Sequence, residues 1–131
     1  MATEFRSERL FRVFDFNRSH RQLIIRSDRE LHSDPDSRVE IYFGNVSYMA
    51  LQPIYEGIVV RKPQAEESAS LGNLLGVDRE SWPHIYVVGI GTPISLVISG
   101  QPSWREARRG FDEPSLFYSD LTADVSAGFV G

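Results

Sequence analysis

A serine and a histidine stand side by side at Ser19 and His20, and they are the first residues of the chain whose types could do nucleophilic chemistry. A histidine can take the proton of a serine hydroxyl when the two side chains touch and a third group orients the ring. Asp15, upstream of the pair, could orient His20 across a turn. Neighbouring residues rarely meet in this geometry, so a hydrogen-bonded turn histidine is the simpler interpretation. Ser19, His20 and Asp15 are therefore the catalytic residues of an alternative, hydrolase-type hypothesis.

A second group, His32, Asp34 and Asp36, combines an imidazole with two carboxylates in one short segment. Oxygen-rich loops of this kind can hold a hard divalent cation. The spacing matches no EF-hand loop, and an aspartate beside Pro35 is ordinary turn chemistry. The chain has no cysteine, which excludes disulfide bonds, thiolate metal sites and a cysteine nucleophile. We expect a solvated loop over this segment, with no metal and no cofactor.

One segment combines a helix signal with residue types that favour interfaces. Ser103 and Glu106 have the spacing of a capping box, in which two side chains satisfy backbone donors reciprocally, and Gly110 suits a helix end. The spacing predicts one short helix near 103–109. Tryptophan and arginine are enriched at interface hot spots, although a capped helix that covers one end of a sheet explains them equally plainly. The predicted partner-binding residues are Trp104, Arg105, Arg108 and Arg109.

Most of the segments that position these residues have the alternating apolar pattern or the β-branched and aromatic composition of strands. Residues 10–16 carry apolar groups on both faces, which is typical of a strand covered on two sides. A polar turn separates them from residues 21–26, so the two segments are expected to form an antiparallel hairpin. Residues 38–43 alternate cleanly, and Gly44-Asn45 predicts a second hairpin turn. Further strands are predicted over 46–51, 54–61, 84–90, 94–99 and 116–121, with 84–90 and 94–99 paired as a hairpin.

Two segments lack a strand pattern. Residues 63–83 are rich in Glu, Ser, Gly and Asn, and Gly72 and Gly76 argue against more than one weak helical turn, so we expect a loop. Residues 122–131 are small and weakly amphipathic, which indicates a loose C-terminal tail. The sum is a single, mainly β domain over 1–131. Its expected architecture is an antiparallel sandwich or partly open barrel of about seven or eight short strands.

Composition limits the classes of function. The 131 residues include 41% apolar and 24% charged residues, which is ordinary for a globular domain. The net charge is −4 and no block of like charges appears, so we expect no nucleic-acid partner. The first residues are polar, and no apolar run approaches the roughly 20 residues that span a bilayer. We therefore expect no membrane attachment and a cytoplasmic location.

The segment 11–60 resembles a group of small uncharacterised bacterial β-domain proteins. These proteins have an aromatic strand, a Ser-His-x-x-Leu-x-x-Arg-Ser segment and a later strand that ends in Phe-Gly-x-Val. The matching residues are Ser19, His20, Leu23, Arg26, Ser27, Phe43, Gly44 and Val46. The resemblance implies a small β domain of bacterial origin, and it implies no activity.

The leading hypothesis is a non-catalytic protein-interaction domain, such as an immunity-type or accessory bacterial protein. It rests on the small size, the acidic charge and the weakness of every catalytic pattern, and an acidic immunity protein would complement a basic toxin. The alternative is a small-ligand binder or modest hydrolase that uses His20 as base, Asp15 as its orienting group and Ser19 as nucleophile. A third possibility is a homo-oligomer whose edge strands pair.

Overall fold

The computed structural model describes residues 4–28, 37–91, 94–110, 112–118 and 120–131. Within these residues the chain forms nine strands, one α-helix and one 3₁₀ helix, so the mainly β prediction is confirmed. The strands are β1 (Phe5–Asn17), β2 (Gln22–Ser27), β3 (Ser37–Phe43), β4 (Tyr48–Ala50), β5 (Ile54–Arg61), β6 (Ile85–Val88), β7 (Ser95–Ile98), β8 (Ser103–Arg108) and β9 (Ser126–Phe129). Helix α1 (Ala65–Leu75) and the 3₁₀ helix (Arg79–His84) lie between β5 and β6.

All of these strands belong to one open antiparallel sheet in the order β4-β7-β6-β5-β1-β2-β3-β8-β9, so the long strand β1 lies in the middle. The register of β1 shifts after Ser7 along β5 and after Val13 along β2. Such bulges bend a strand and increase its twist. The sheet curls accordingly, because the ring of Phe5 on β1 lies 5.6 Å from the ring of Trp104, three strands away on β8.

Two apolar cores lie on opposite faces of this curled sheet. The larger core fills the concave face, where alternate residues of each strand point inward. Its buried members include Phe11, Leu23, Ile25, Val39, Ile41, Phe43, Ile58, Val60, Val88, Val97 and Val130. The smaller core lies between helix α1 and the outer face of β6 and β7, and it is formed by Leu71, Ile85, Val87, Leu96 and Ile98. Helix α1 therefore covers one part of the outer face.

The predicted helix near 103–109 is wrong, because these residues form strand β8. Strand β8 pairs with β3 through six residue pairs and with β9 on its other side. The two ladders satisfy the backbone hydrogen-bonding groups of β8 on both sides. The capping box of Ser103 and Glu106 would supply only local hydrogen bonds, so the sheet pairing prevails. Trp104 also packs inward beside Phe5. In a strand its neighbours Ser103 and Arg105 then point to the opposite face.

The prediction of a loop over 63–83 is also wrong in part, because the 11-residue helix α1 lies within it. Gly72 faces Trp82 so closely that a Cβ atom would overlap the indole ring. Gly76 ends the helix in the left-handed conformation, with φ of 70°. Of the two glycines that argue against a helix, Gly72 therefore makes room for the Trp82 ring and Gly76 forms the C-terminal cap.

Two of the expected hairpins are present and one is not. The pairs β1–β2 and β6–β7 form as predicted. The hairpin expected at Gly44-Asn45 is wrong, because β3 pairs with β2 and β8 while the short strand β4 crosses over to pair with β7. Strand β4 therefore forms one edge of the sheet.

The C-terminal part of the chain differs from the prediction as well. The described residues of 116–121 form turns and no strand. Residues 126–129, expected within a loose tail, pair with β8 as the edge strand β9, and Val130 after them is fully buried. Burial of this apolar residue explains why the end of the chain is held in place. Among the described residues, no helix has the length and apolar character needed to cross a membrane.

Candidate functional site

Ser19 and His20 lie in the turn between β1 and β2. The side chain of Asn17 accepts hydrogen bonds from both of their backbone N–H groups, at 3.0 and 3.2 Å. The side chains of Ser19, His20 and Asp15 are exposed, and within the described residues no hydrogen bond joins any two of them. Asp15 instead lines a pocket of about 120 Å³ beside Tyr42. The structure therefore accounts for this turn through Asn17 and does not assemble the three residues, so the hydrolase hypothesis stays a prediction.

The four predicted partner-binding residues of 103–109 do not share one surface. Trp104 faces the concave core, whereas Arg105, its neighbour on the strand, faces the opposite side. The Arg105 Nη1 atom donates to the carbonyl of Leu116 at 2.8 Å. Arg109 pairs with Asp124 at 2.9 Å, and Arg108 is exposed at the end of β8. The strand geometry thus separates residues that a helix would have grouped.

The weak metal candidates His32, Asp34 and Asp36 lie outside the described residues. Among the residues that are described, no group of three or more His, Asp or Glu side chains is arranged to hold a metal ion. A solvated loop over His32, Asp34 and Asp36 therefore stays a prediction from the sequence.

A buried ionic network fastens residues 112–118, here named the 112–118 loop, to the outer face of β3 and β8. Arg38 is fully buried, and its Nε atom donates to Asp28 Oδ1 at 3.1 Å while its Nη1 atom lies 3.5 Å from Glu40 Oε2. The carbonyl groups that accept its remaining hydrogen bonds belong to Gly110, Glu113 and Pro114, at 2.5, 3.1 and 2.9 Å. Arg38 thus connects the sheet directly to the backbone of this loop.

Glu40 holds the same loop from the other side. It is fully buried, and it accepts hydrogen bonds from the Ser115 hydroxyl at 2.5 Å and from the Leu116 backbone N–H at 2.9 Å. The ring of Phe117 stacks on Tyr42 with 5.1 Å between centroids, and the guanidinium of Arg105 lies 4.6 Å from the Phe117 ring. Because the charged groups of Arg38 and Glu40 find partners within the protein, we assign the network a structural role.

The outward face of β1 and β5, between the parts covered by α1 and by the 112–118 loop, carries exposed apolar residues. Leu10 and Phe14 on β1 and Ile54 on β5 are 37%, 46% and 53% exposed. Glu56 lies opposite Leu10, and Arg12 lies opposite Ile54, so charged and apolar residues alternate across the two strands. We name these five residues the β1–β5 strip. No described segment of the chain covers it.

The β1–β5 strip includes the outer apolar residues of β1, whose presence the rest of the fold does not explain. The apolar groups on both faces of residues 10–16 predict a strand covered on two sides. Phe11 on the concave side is fully buried, but Leu10 and Phe14 on the outer side are not. The guanidinium of Arg26 lies 3.6 Å from the centroid of the Phe14 ring and shields part of it. Within the described residues the strand is therefore covered on one side only.

A polar cleft of about 210 Å³ lies at the end of the sheet where the β1–β2 turn, the β3–β4 connection and the end of β7 meet. The side chain of Arg21 donates to Asn45 Oδ1 at 2.5 Å across it. We name this cleft the Arg21 cleft. Its lining residues are Arg21, Asn45, Ser47, Ser81, His84, Ile98, Ser99 and Gly100.

Sequence reasoning missed the cleft because its residues come from four separate segments and none forms a motif. The nearest signal is Gly44-Asn45, whose tolerance of positive φ is visible in the sequence. Asn45 does adopt a φ of 52°, although the turn it makes is not the predicted hairpin. Nothing in the sequence marks Arg21, which adopts a φ of 53°.

A charged pair with shifted pKa values lies away from both the strip and the cleft. Arg61, at the end of β5, donates to both carboxylate oxygens of Glu67 on α1, at 2.8 and 2.9 Å. These hydrogen bonds lower the pKa of Glu67 and raise the pKa of Arg61. The pair ties the helix to the sheet, so it belongs to the scaffold.

No protein-family model, no curated protein and no solved structure matches this chain. We therefore infer function from the strip and the cleft alone.

Proposed function

We propose that the protein is a non-catalytic interaction domain that binds a partner protein on the β1–β5 strip. The observation that supports the proposal is the open outer face of β1, the middle strand of the sheet. Its sequence has the apolar pattern of a strand covered on both faces, and the described chain covers only one. A partner that packs on the strip would supply the second cover.

The strip has the composition of an interface. Exposed apolar residues scattered singly are ordinary, whereas a group of them on one face of a sheet is typical of binding surfaces. Burial of the remaining exposed surface of Leu10, Phe14 and Ile54 would contribute about 1 kcal/mol for each residue. This gain is too small for stable binding without further contacts. Arg12 and Glu56 form no ion pair among the described residues, so they can form salt bridges and hydrogen bonds with a partner.

The partner expected on this surface is a protein of opposite net charge. The chain carries a net charge of −4, and complementary charge accelerates encounter and discriminates against wrong partners. An immunity-type or accessory bacterial protein that acts in the cytoplasm on a basic partner has these properties. The hydrolase alternative at Ser19, His20 and Asp15 gains no support from the arrangement of those side chains.

A comparison of matched variants tests this proposal. Tagged wild-type protein, Ile54→Glu and Leu74→Glu are used to capture partners from the native lysate, with stoichiometry measured by mass spectrometry. Ile54 and Leu74 are both exposed, at 53% and 82%, but Leu74 lies on α1 away from the strip. We expect one stoichiometric partner that wild type and Leu74→Glu retain and Ile54→Glu loses.

The purified pair then gives the affinity. Ile54→Glu should weaken binding at least tenfold, because it places a charge in the desolvated centre of the interface. Thermal unfolding of all three proteins checks that each is folded. Equal capture by the two variants would contradict the proposal, and so would a wild-type protein that forms only a complex with its own copies.

A further inference from the structure

Three connections of the fold meet at the Arg21 cleft and are held there by backbone hydrogen bonds. The N–H of Val46 donates to the carbonyl of Arg21 at 2.9 Å, and the N–H of Gly100 donates to the carbonyl of Gly44 at the same distance. The rigid strands on either side therefore fix the geometry of the cleft. Loops positioned by a rigid sheet in this way commonly carry binding residues.

Two residues of the cleft are held in a left-handed backbone conformation. Arg21 and Asn45, with φ of 53° and 52°, are the non-glycine residues with positive φ in the described chain. Asparagine tolerates this conformation, whereas for arginine it is unfavourable. Glycine at position 21 would satisfy the same turn without strain. An arginine at this position therefore points to a role for its side chain, since strained residues cluster at functional sites.

The chemistry of the lining is that of an anion site. Arg21 uses Nη2 to contact Asn45, which leaves its Nε and Nη1 donors without a hydrogen-bond partner among the described residues. No carboxylate lines the cleft or pairs with Arg21 within that part of the chain. The other side chains that can donate into the cleft are His84 and Ser81, whereas the Ser47 hydroxyl donates to the carbonyl of Ile98 at 3.5 Å.

We propose that the Arg21 cleft binds the phosphate group of a small phosphate monoester. The planar fork of an arginine matches phosphate oxygens bidentately. A phosphate monoester presents three terminal oxygens and a charge of about −2 to the donors of Arg21, His84 and Ser81, whereas a carboxylate presents two oxygens and a charge of −1. Its volume of about 210 Å³ lies below the range of typical ligand pockets, so it suits the phosphate with only a small part of its ester. This site is separate from the β1–β5 strip and does not depend on partner binding there.

Titration of the full-length protein with inorganic phosphate, followed by amide chemical shifts at constant ionic strength, tests the proposal. We expect saturable shifts confined to the amides of Arg21, Asn45, Ser47 and Gly100. Arg21→Gly should weaken binding at least tenfold. Arg18→Gly removes the same charge from the same turn without touching the cleft lining, and it should weaken binding less than threefold. Acetate at the same concentration should produce no saturable shift.

The stability of Arg21→Gly gives a second readout. If Arg21 is retained for binding, glycine relieves the strained backbone, and the urea midpoint of unfolding should equal or exceed that of wild type. A clearly lower midpoint would overturn the proposal, because the arginine would then be explained by stability. It would also be overturned by the absence of saturable shifts, by equal losses in Arg21→Gly and Arg18→Gly, or by acetate binding as strongly as phosphate.

Discussion

The replacement Arg38→Met removes the charged centre that joins the sheet to the 112–118 loop while keeping a long apolar side chain. In the native protein this guanidinium is fully buried between the carboxylates of Asp28 and Glu40. The carbonyls of Gly110, Glu113 and Pro114 also accept its hydrogen bonds. After the replacement Glu40 would lose the neighbouring charge of Arg38, although the Ser115 hydroxyl and the Leu116 N–H would still donate to it.

The expected loss in the free energy of unfolding is about 3–5 kcal/mol, the range for breaking a buried ion pair by removing one partner. The three carbonyls add to the cost, because an unsatisfied buried acceptor costs about 1–3 kcal/mol. Detachment of the loop would let water reach these groups and would limit the sum to that range. A loss of this size is a large fraction of the roughly 5–15 kcal/mol that stabilises a domain.

Urea unfolding followed by tryptophan fluorescence measures this loss, since Trp104 lies against the main core. Arg12→Met is the matched control, because Arg12 is exposed on β1 and should change stability by less than about 0.5 kcal/mol. Glu40→Gln and the double variant complete a cycle, in which the double variant should lose less than the sum of the two single losses. A loss below about 1 kcal/mol for Arg38→Met would refute the structural role given to the network.

Two further predictions concern helix α1. The hydrogen bonds from Arg61 lower the pKa of Glu67 in the folded state, so the pair stabilises the protein above the unfolded value of 4.5 and this contribution disappears as pH falls through the folded value. Glu67→Gln should therefore lower stability at neutral pH by about 0.5 kcal/mol, since the pair is partly solvated, and the urea midpoints of variant and wild type should converge as pH falls below the folded-state pKa of Glu67. Gly72→Ala should lose about 1–3 kcal/mol and shift the emission of Trp82, because the new methyl overlaps the indole ring. Gly76→Ala, with open space around it, should lose about 1 kcal/mol through backbone strain alone and leave that emission unchanged.

The strand pattern predicts most of the sheet but not its order. Residues 38–43 show the cleanest alternation, and they form β3 as expected. Their pairing with β8, more than 60 residues away in sequence, carries no local signal. A capping box within Ser103–Arg108 predicts a helix, and only the ladders on both sides of β8 override it. Local propensity therefore fails where long-range pairing decides.

The candidate surfaces were accessible to sequence reasoning to different degrees. The apolar outer residues of β1 are visible in the sequence, but whether the chain itself covers them depends on where α1 and the 112–118 loop pack. The cleft depends on the backbone conformation of Arg21, and an arginine gives no sign of positive φ. Residue type predicts the chemistry of a side chain, whereas the structure is needed to identify the residues that lie beside it in the fold.

Photo-crosslinking tests the central claim, that a partner protein binds the β1–β5 strip, most directly. A benzoylphenylalanine replaces Phe14 in one protein and Leu74 in another, so that the same probe sits on the strip and on the solvent face of α1. Irradiation in the native lysate should link position 14 to one protein in high yield and should link position 74 to none. Crosslinks at neither position, equal crosslinks at both, or crosslinks from position 14 only to a second copy of this chain would contradict the claim.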